Sequence, residues 1–141
     1  MREFSVLIHS AEDVPGQWIA HCLNWDLISQ GDSPSHAAKS MAEVIVLAIE
    51  EDDSEGLRAD DRSPAPATYW DVFRRTQQDG ARVAAGDVDR LARTSRLVVA
   101  AVMYLETLTP RGHVRLDPDE DLPSAPPAFM IAALEDGSAH H

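Results

Sequence analysis

Leu27-Ile28-Ser29-Gln30-Gly31-Asp32-Ser33-Pro34-Ser35-His36-Ala37 decides how the first third of this chain folds. Leu27 to Gln30 reads as a short strand that Gly31 breaks. Asp32 or Ser33 can then cap a helix, because a short side-chain oxygen accepts from the free amides of a first turn. Pro34 suits the first helical position, where its missing N–H costs nothing. Behind it Ala37, Met41, Val44, Ile45, Ala48 and Ile49 recur at spacings of three and four. They form one apolar stripe able to lie across a sheet.

The sheet comes from upstream. Residues 2–9 alternate, with Phe4, Val6 and Ile8 facing one way and Ser5, Leu7 and His9 the other, which is the period of a strand. Residues 11–16 hold acids, Pro15 and Gly16 and read as a turn. Gln17 to Leu23 alternates again, and Asn24 to Asp26 makes a bend before the strand at Leu27. Downstream, the helix ends in the acid-rich run Glu50 to Glu55. Carboxylates there oppose the macrodipole, so fraying is expected.

The remainder is less regular. Residues 56–66 read as a connector. Pro66 starts a second helix, Ala67 to Gln78, which carries Tyr69, Trp70 and Phe73 and is closed by Gly80. Asp87 to Arg93 fits a short helix. Over Leu97 to Leu105, Val98, Val99, Val102 and Tyr104 favour a buried strand, although the alanines also permit a helix. Pro110 to Pro127 reads as an extended loop, and Phe129 to Leu134 as an apolar segment that docks as a strand or a helical turn.

The fold class is therefore α+β: a three- or four-stranded, antiparallel-containing sheet with the Ser33–Glu51 helix on one face, extended by a second helix and a further strand. The expected division is a domain over 1–109 and a proline- and acid-rich tail over 110–141.

Composition narrows the function. The 141 residues carry a net charge of −12, and residues 1–61 alone hold 13 acidic side chains against 3 basic ones. Such a surface repels phosphate backbones and attracts a basic partner, although acidity also serves plain solubility. One cysteine, Cys22, allows no internal disulfide and no zinc framework. The start lacks the pattern of a signal peptide, and Leu97 to Leu105 is about half the ~20 residues of a spanning helix. A cytoplasmic protein is expected.

At residue level the first part resembles a known family. Pro15-Gly16-Gln17-Trp18-Ile19-Ala20-His21-Cys22, then Ser29-Gln30-Gly31-Asp32-Ser33-Pro34 and Ala37 with Glu43, is similar to the N-terminal domain of HicB-type antitoxins over about residues 3–52. The resemblance implies a three-strand, one-helix, one-strand unit described as a partial ribonuclease-H-like fold. It also implies a non-catalytic role in neutralising a small basic ribonuclease, a HicA-like toxin. Leu23-Asn24-Trp25-Asp26 departs from the family's proline-containing stretch. Residues 56–141 match neither a helix-turn-helix nor a ribbon-helix-helix, so the DNA-binding half of the family's role has no counterpart.

The candidate residues follow. Partner contacts are expected at Trp25, Asp26, Glu50, Glu51 and Asp52, with Trp25 divided evenly between core and contact. The partner is the basic protein or a second copy of the chain joined through a sheet edge. Asp32 and Ser33 are structural caps. The alternative reading is a nucleic-acid-binding regulator that uses Arg74, Arg75 and Arg93. No catalytic residue, metal or cofactor is expected: His9 and His21 lack a third ligand, and Cys22 lacks an activating neighbour.

Overall fold

The computed structural model describes residues 2–11, 13–56, 62–106, 108, 110–117 and 122. Six strands form a single antiparallel sheet. In chain order the elements are β1 (Glu3–Ser10), β2 (Trp18–Cys22), β3 (Leu27–Gly31), α1 (Pro34–Ser54), α2 (Ala67–Asp79), β4 (Ala81–Val83), α3 (Ala85–Ala92), β5 (Leu97–Tyr104) and β6 (Arg111–Leu116). The spatial order is β3-β2-β1-β5-β6-β4. The α+β class stands as expected, but the sheet is wider than three or four strands, and both of its faces carry helices.

Strand alternation splits the chain into two cores. Phe4, Val6, Ile8, Trp18, Ala20, Cys22, Val99 and Met103 point to the face covered by α1 and α3. Leu7, Leu23, Val98 and Ala100 point to the other, where Ala65 and the helix residues Tyr69, Val72 and Phe73 meet them. On α1 the stripe read from the sequence is the buried one: Ala37, Met41, Ile45 and Ala48 all face the sheet. Full burial of Met41 and Ile45 contributes about 1.5–3 kcal/mol apiece.

The junction between β3 and α1 is as tight as its sequence suggests. Ser33 is the cap, and its hydroxyl accepts from the His36 amide at 3.1 Å. A Cβ on Gly31 would lie 2.5 Å from Ala37 N and 2.7 Å from the His36 carbonyl carbon, so only glycine lets the helix start here. The buried Ser29 hydroxyl donates to the Ala37 carbonyl at 3.1 Å. Far from the chain start, Asp89 of α3 accepts from the Ser35 amide at 3.0 Å and satisfies a second donor of the same turn.

Leu97–Tyr104 resolves as a strand, and a central one, with Leu105 in the turn that follows. β5 pairs with β1 (Val6 opposite Ala101) and with β6 (Val99 opposite Val114). The stretch after Pro110 is the clearest correction: Arg111 to Leu116 is not loop but a strand inside the sheet, so the folded unit continues past residue 109. Its inward positions are Gly112 and Val114, and a Cβ on Gly112 would collide with the Ala100 carbonyl oxygen. The acid-rich end of α1 runs three residues beyond Glu51, to Ser54, instead of stopping short. Arg62 holds it there, with Nε and a terminal nitrogen donating to Asp52 at 2.9 and 2.8 Å. The apolar segment 129–134 lies outside the described residues. Among the described residues no helix is long and apolar enough to cross a membrane.

Candidate functional site

The turn Leu23-Asn24-Trp25-Asp26 is tied to the sheet and to the segment before α2 by hydrogen bonds. Leu23 N–H donates to the Ser5 carbonyl and Ser5 N–H to Asn24 Oδ1, at 2.8 and 2.7 Å, so the turn is tied back to β1. The Ala65 amide donates to the Leu23 carbonyl at 2.8 Å. Asp26 adopts φ +53°, a left-handed conformation that aspartate tolerates better than bulkier residues. Its side chain is thereby returned beneath the sheet, where Asp26 Oδ1 sits 2.7 Å from His21 Nε2. The Tyr69 ring meets the imidazole edge-on, with centroids 4.5 Å apart.

An aspartate, a histidine and a tyrosine in contact resemble acid–base machinery. Access decides against that role, because His21 is 1% exposed and Asp26 also belongs to the buried set. Burial pushes the His21 pKa down, against the hydrogen bond and charge of Asp26. Near neutral pH the imidazole is therefore neutral, with Nε2–H donating to the carboxylate. Burial, and secondarily the Asp26 charge, also pushes the Tyr69 phenol up. The trio is a polar clamp joining β2, the turn and α2. Cys22, the next residue, points into the opposite core, and its thiol pKa is pushed up to about 11 by burial. Among the described residues no group of three His, Cys, Asp or Glu side chains could hold a metal ion.

The expected contact residues scatter. Trp25 is 5% exposed, stacked edge-on against Phe4 at 4.8 Å with the Arg2 guanidinium over it at 5.6 Å. Asp26 is sealed against His21, and Asp52 is buried against Arg62. These three are withdrawn from any partner surface. A bend between two alternating strands looks exposed, but this one turns a side chain into each core. Glu50 and Glu51 are exposed near the end of α1. Asp32 is exposed, with Oδ1 2.8 Å from His36 Nδ1. The arginines do not form one surface either. Arg74 and Arg75 lie on α2, and Arg74 is paired with Asp71. Arg93 follows α3, on the other side of the sheet.

One face was missed. Val46 and Leu47 stand on the outer side of α1, Leu47 at 57% exposure. Exposed Glu43, Glu50 and Glu51 flank them, with Lys39 a turn before. The signal was available in Val44-Ile45-Val46-Leu47, because four consecutive apolar residues cannot all share one stripe of a helix. The geometry therefore offers a closed polar clamp and an open helix face, apolar at its centre and acidic at its rim. Searches against protein-family models, curated proteins and solved structures return no match for this chain.

Proposed function

We propose that the chain is a non-catalytic protein-binding module that takes a small basic protein, the role its resemblance to HicB-type antitoxins implies, and that this partner docks on the outer face of α1. The observation that carries this reading is the exposed Val46–Leu47 pair inside an acidic rim. Apolar centre and charged rim are the anatomy of a protein contact, and the rim's sign selects a basic partner and speeds encounter with it. Inhibition would be steric, with the partner's working surface held against the helix. The sealed position of His21 and Asp26 supports a role without catalysis, since the best acid–base pair lies where no substrate reaches it.

The resemblance implies three strands, a helix and a further strand; this chain runs β1, β2, β3 and α1 in that order and sets β5 beside β1. The return path differs. A strand entered directly from α1 would run parallel to β1, whereas here α2 intervenes on the opposite face and β5 runs antiparallel. The antitoxin reading therefore rests on residues 3–52 and the face they present. Its test is affinity capture with mass spectrometry, run beside Leu47→Asp and Glu50→Lys/Glu51→Lys variants. The expected result is one small basic protein, lost with both variants. Retention of no protein, or retention that the variants leave unchanged, would overturn the reading.

A further inference from the structure

Among the described residues, α2 and Leu122 pack on the second face of the sheet, and Arg82 and Arg111 at its β4–β6 end stand exposed. Alternation places Val98, Ala100, Val102 and Tyr104 of β5 on the α2 side, and cross-strand pairing sets Arg111 opposite Val102 and His113 opposite Ala100. Arg82 of β4 lies directly opposite His113 and so shares that face. Arg82 and Arg111 are exposed, and neither has an ion-pair partner among the described residues. Trp70 and Val102 are half-buried at the rim of the core beneath α2, and Tyr104 is half-buried at the end of β5. Arg74 follows one helical turn after Trp70. The acids on the same side include Asp71, already paired with Arg74, exposed Asp79 at the end of α2, Glu3, opposite Tyr104, and the buried Asp26.

We infer that this β4–β6 end of the α2 face is a binding surface for single-stranded nucleic acid. Its two cations, Arg82 and Arg111, stand on two adjacent strands about 4.8 Å apart, at the spacing of a backbone track, and Tyr104 follows two residues after Val102, the pairing partner of Arg111. Cations that follow a phosphate chain beside aromatic rings that accept unpaired bases are the general requirement for single-strand binding. An acidic peptide would use the cations but not the rings. The net charge of −12 does not forbid the contact. The acids of α1 lie across the sheet, more than one Debye length (about 8 Å at physiological salt) away. This surface is independent of the α1 face, so either can fail alone.

The test is fluorescence anisotropy of the full chain with a labelled mixed-sequence single-stranded RNA over a salt series. The expected result is binding whose logarithmic salt slope is about −1.4, from two arginines at roughly 0.7 each. Arg82→Glu/Arg111→Glu should weaken it by about tenfold or more at low salt. Both side chains are exposed, and an unchanged circular dichroism melt shows that the variant is folded; Arg82→Gln/Arg111→Gln gives a milder version with an intermediate loss. Absence of salt-dependent binding overturns the proposal, as does an affinity unmoved by the reversal. So does poly-glutamate bound as tightly as the RNA, which would mark a general site for acidic chains.

Discussion

The two faces of the sheet are built from the same strands and solve different problems. The α1 face has a largely apolar core, with the buried Ser29 hydroxyl bonded to α1, and is roofed by a helix of 21 residues that is capped by Ser33 and pinned at its far end by Arg62. The α2 face has a roof of 13 residues with no side-chain cap. It encloses a histidine and an aspartate and leaves Arg82 and Arg111 in solvent. The first face buries the larger apolar core and turns an acidic surface outward. The second carries a smaller core and, among the described residues, exposed arginines at its β4–β6 end. In an alternating strand, one residue commits a side chain to each environment in turn, so a single sheet can carry both.

The largest expected effect lies in the first core. Phe4 is fully buried, stacked on Trp25 and packed among the side chains under α1. Phe4→Ala should cost about 3–5 kcal/mol, much of a marginal domain's total stability. Urea unfolding measures it. A loss below about 1 kcal/mol would mean that the larger core contributes less to stability than its burial implies. Next comes Gly31→Ala. Its Cβ would press on backbone atoms of α1 that cannot rotate away. Overpacking of this kind costs about 1–3 kcal/mol. A neutral result would show that α1 is free to shift on the sheet.

The second face should respond through its polar clamp. Asp26→Ala leaves the His21 imidazole donor without its buried acceptor, at a cost of about 1–3 kcal/mol. Asp26→Asn keeps an acceptor oxygen and should lose less; equal losses would mean that the charge, not the hydrogen bond, is what counts. The same clamp sets a pH dependence. The folded-state pKa of His21 is lowered, so between that value and the unfolded value near 6.5 the unfolded chain binds more protons. The sign is then fixed: stability is complete above about pH 6.5 and falls as the pH drops below it. Urea midpoints at neutral and mildly acidic pH for the wild type and His21→Gln isolate this contribution, since the other histidines are common to both. Parallel slopes would remove His21 as the cause.

The same contrast explains what could be read from sequence. The first face was legible because its signals are local: Phe4, Val6 and Ile8 at period two, Met41, Ile45 and Ala48 at helical spacing, and Gly31, Ser33 and Pro34 as punctuation. The second depends on long-range pairing. Asp26 meets His21 only because the turn takes a left-handed residue, and Tyr69 joins them from a helix more than forty residues on. Trp25 looked like a contact because it lies between polar neighbours, yet a bend can direct its side chain inward. β6 was hidden by Pro110 and Gly112, although Gly112, Val114 and Leu116 alternate with Arg111, His113 and Arg115. That alternation becomes informative only once β5 is known to lie beside it.

The smallest effect asks whether the difference between the two helices begins at their first turns. Ser33 accepts from the His36 amide, whereas Pro66 at the start of α2 offers no acceptor. Ser33→Ala should cost about 1 kcal/mol, and Ser33→Asp should recover it, because a carboxylate there also faces the positive end of the helix. The loss should be smaller than for an isolated cap, since Asp89 still accepts from the Ser35 amide of the same turn. Ser33→Ala/Asp89→Ala should therefore lose more than the two single changes together. Strict additivity would mean that each acceptor serves its own amide independently, and that the cap of α1 owes nothing to α3.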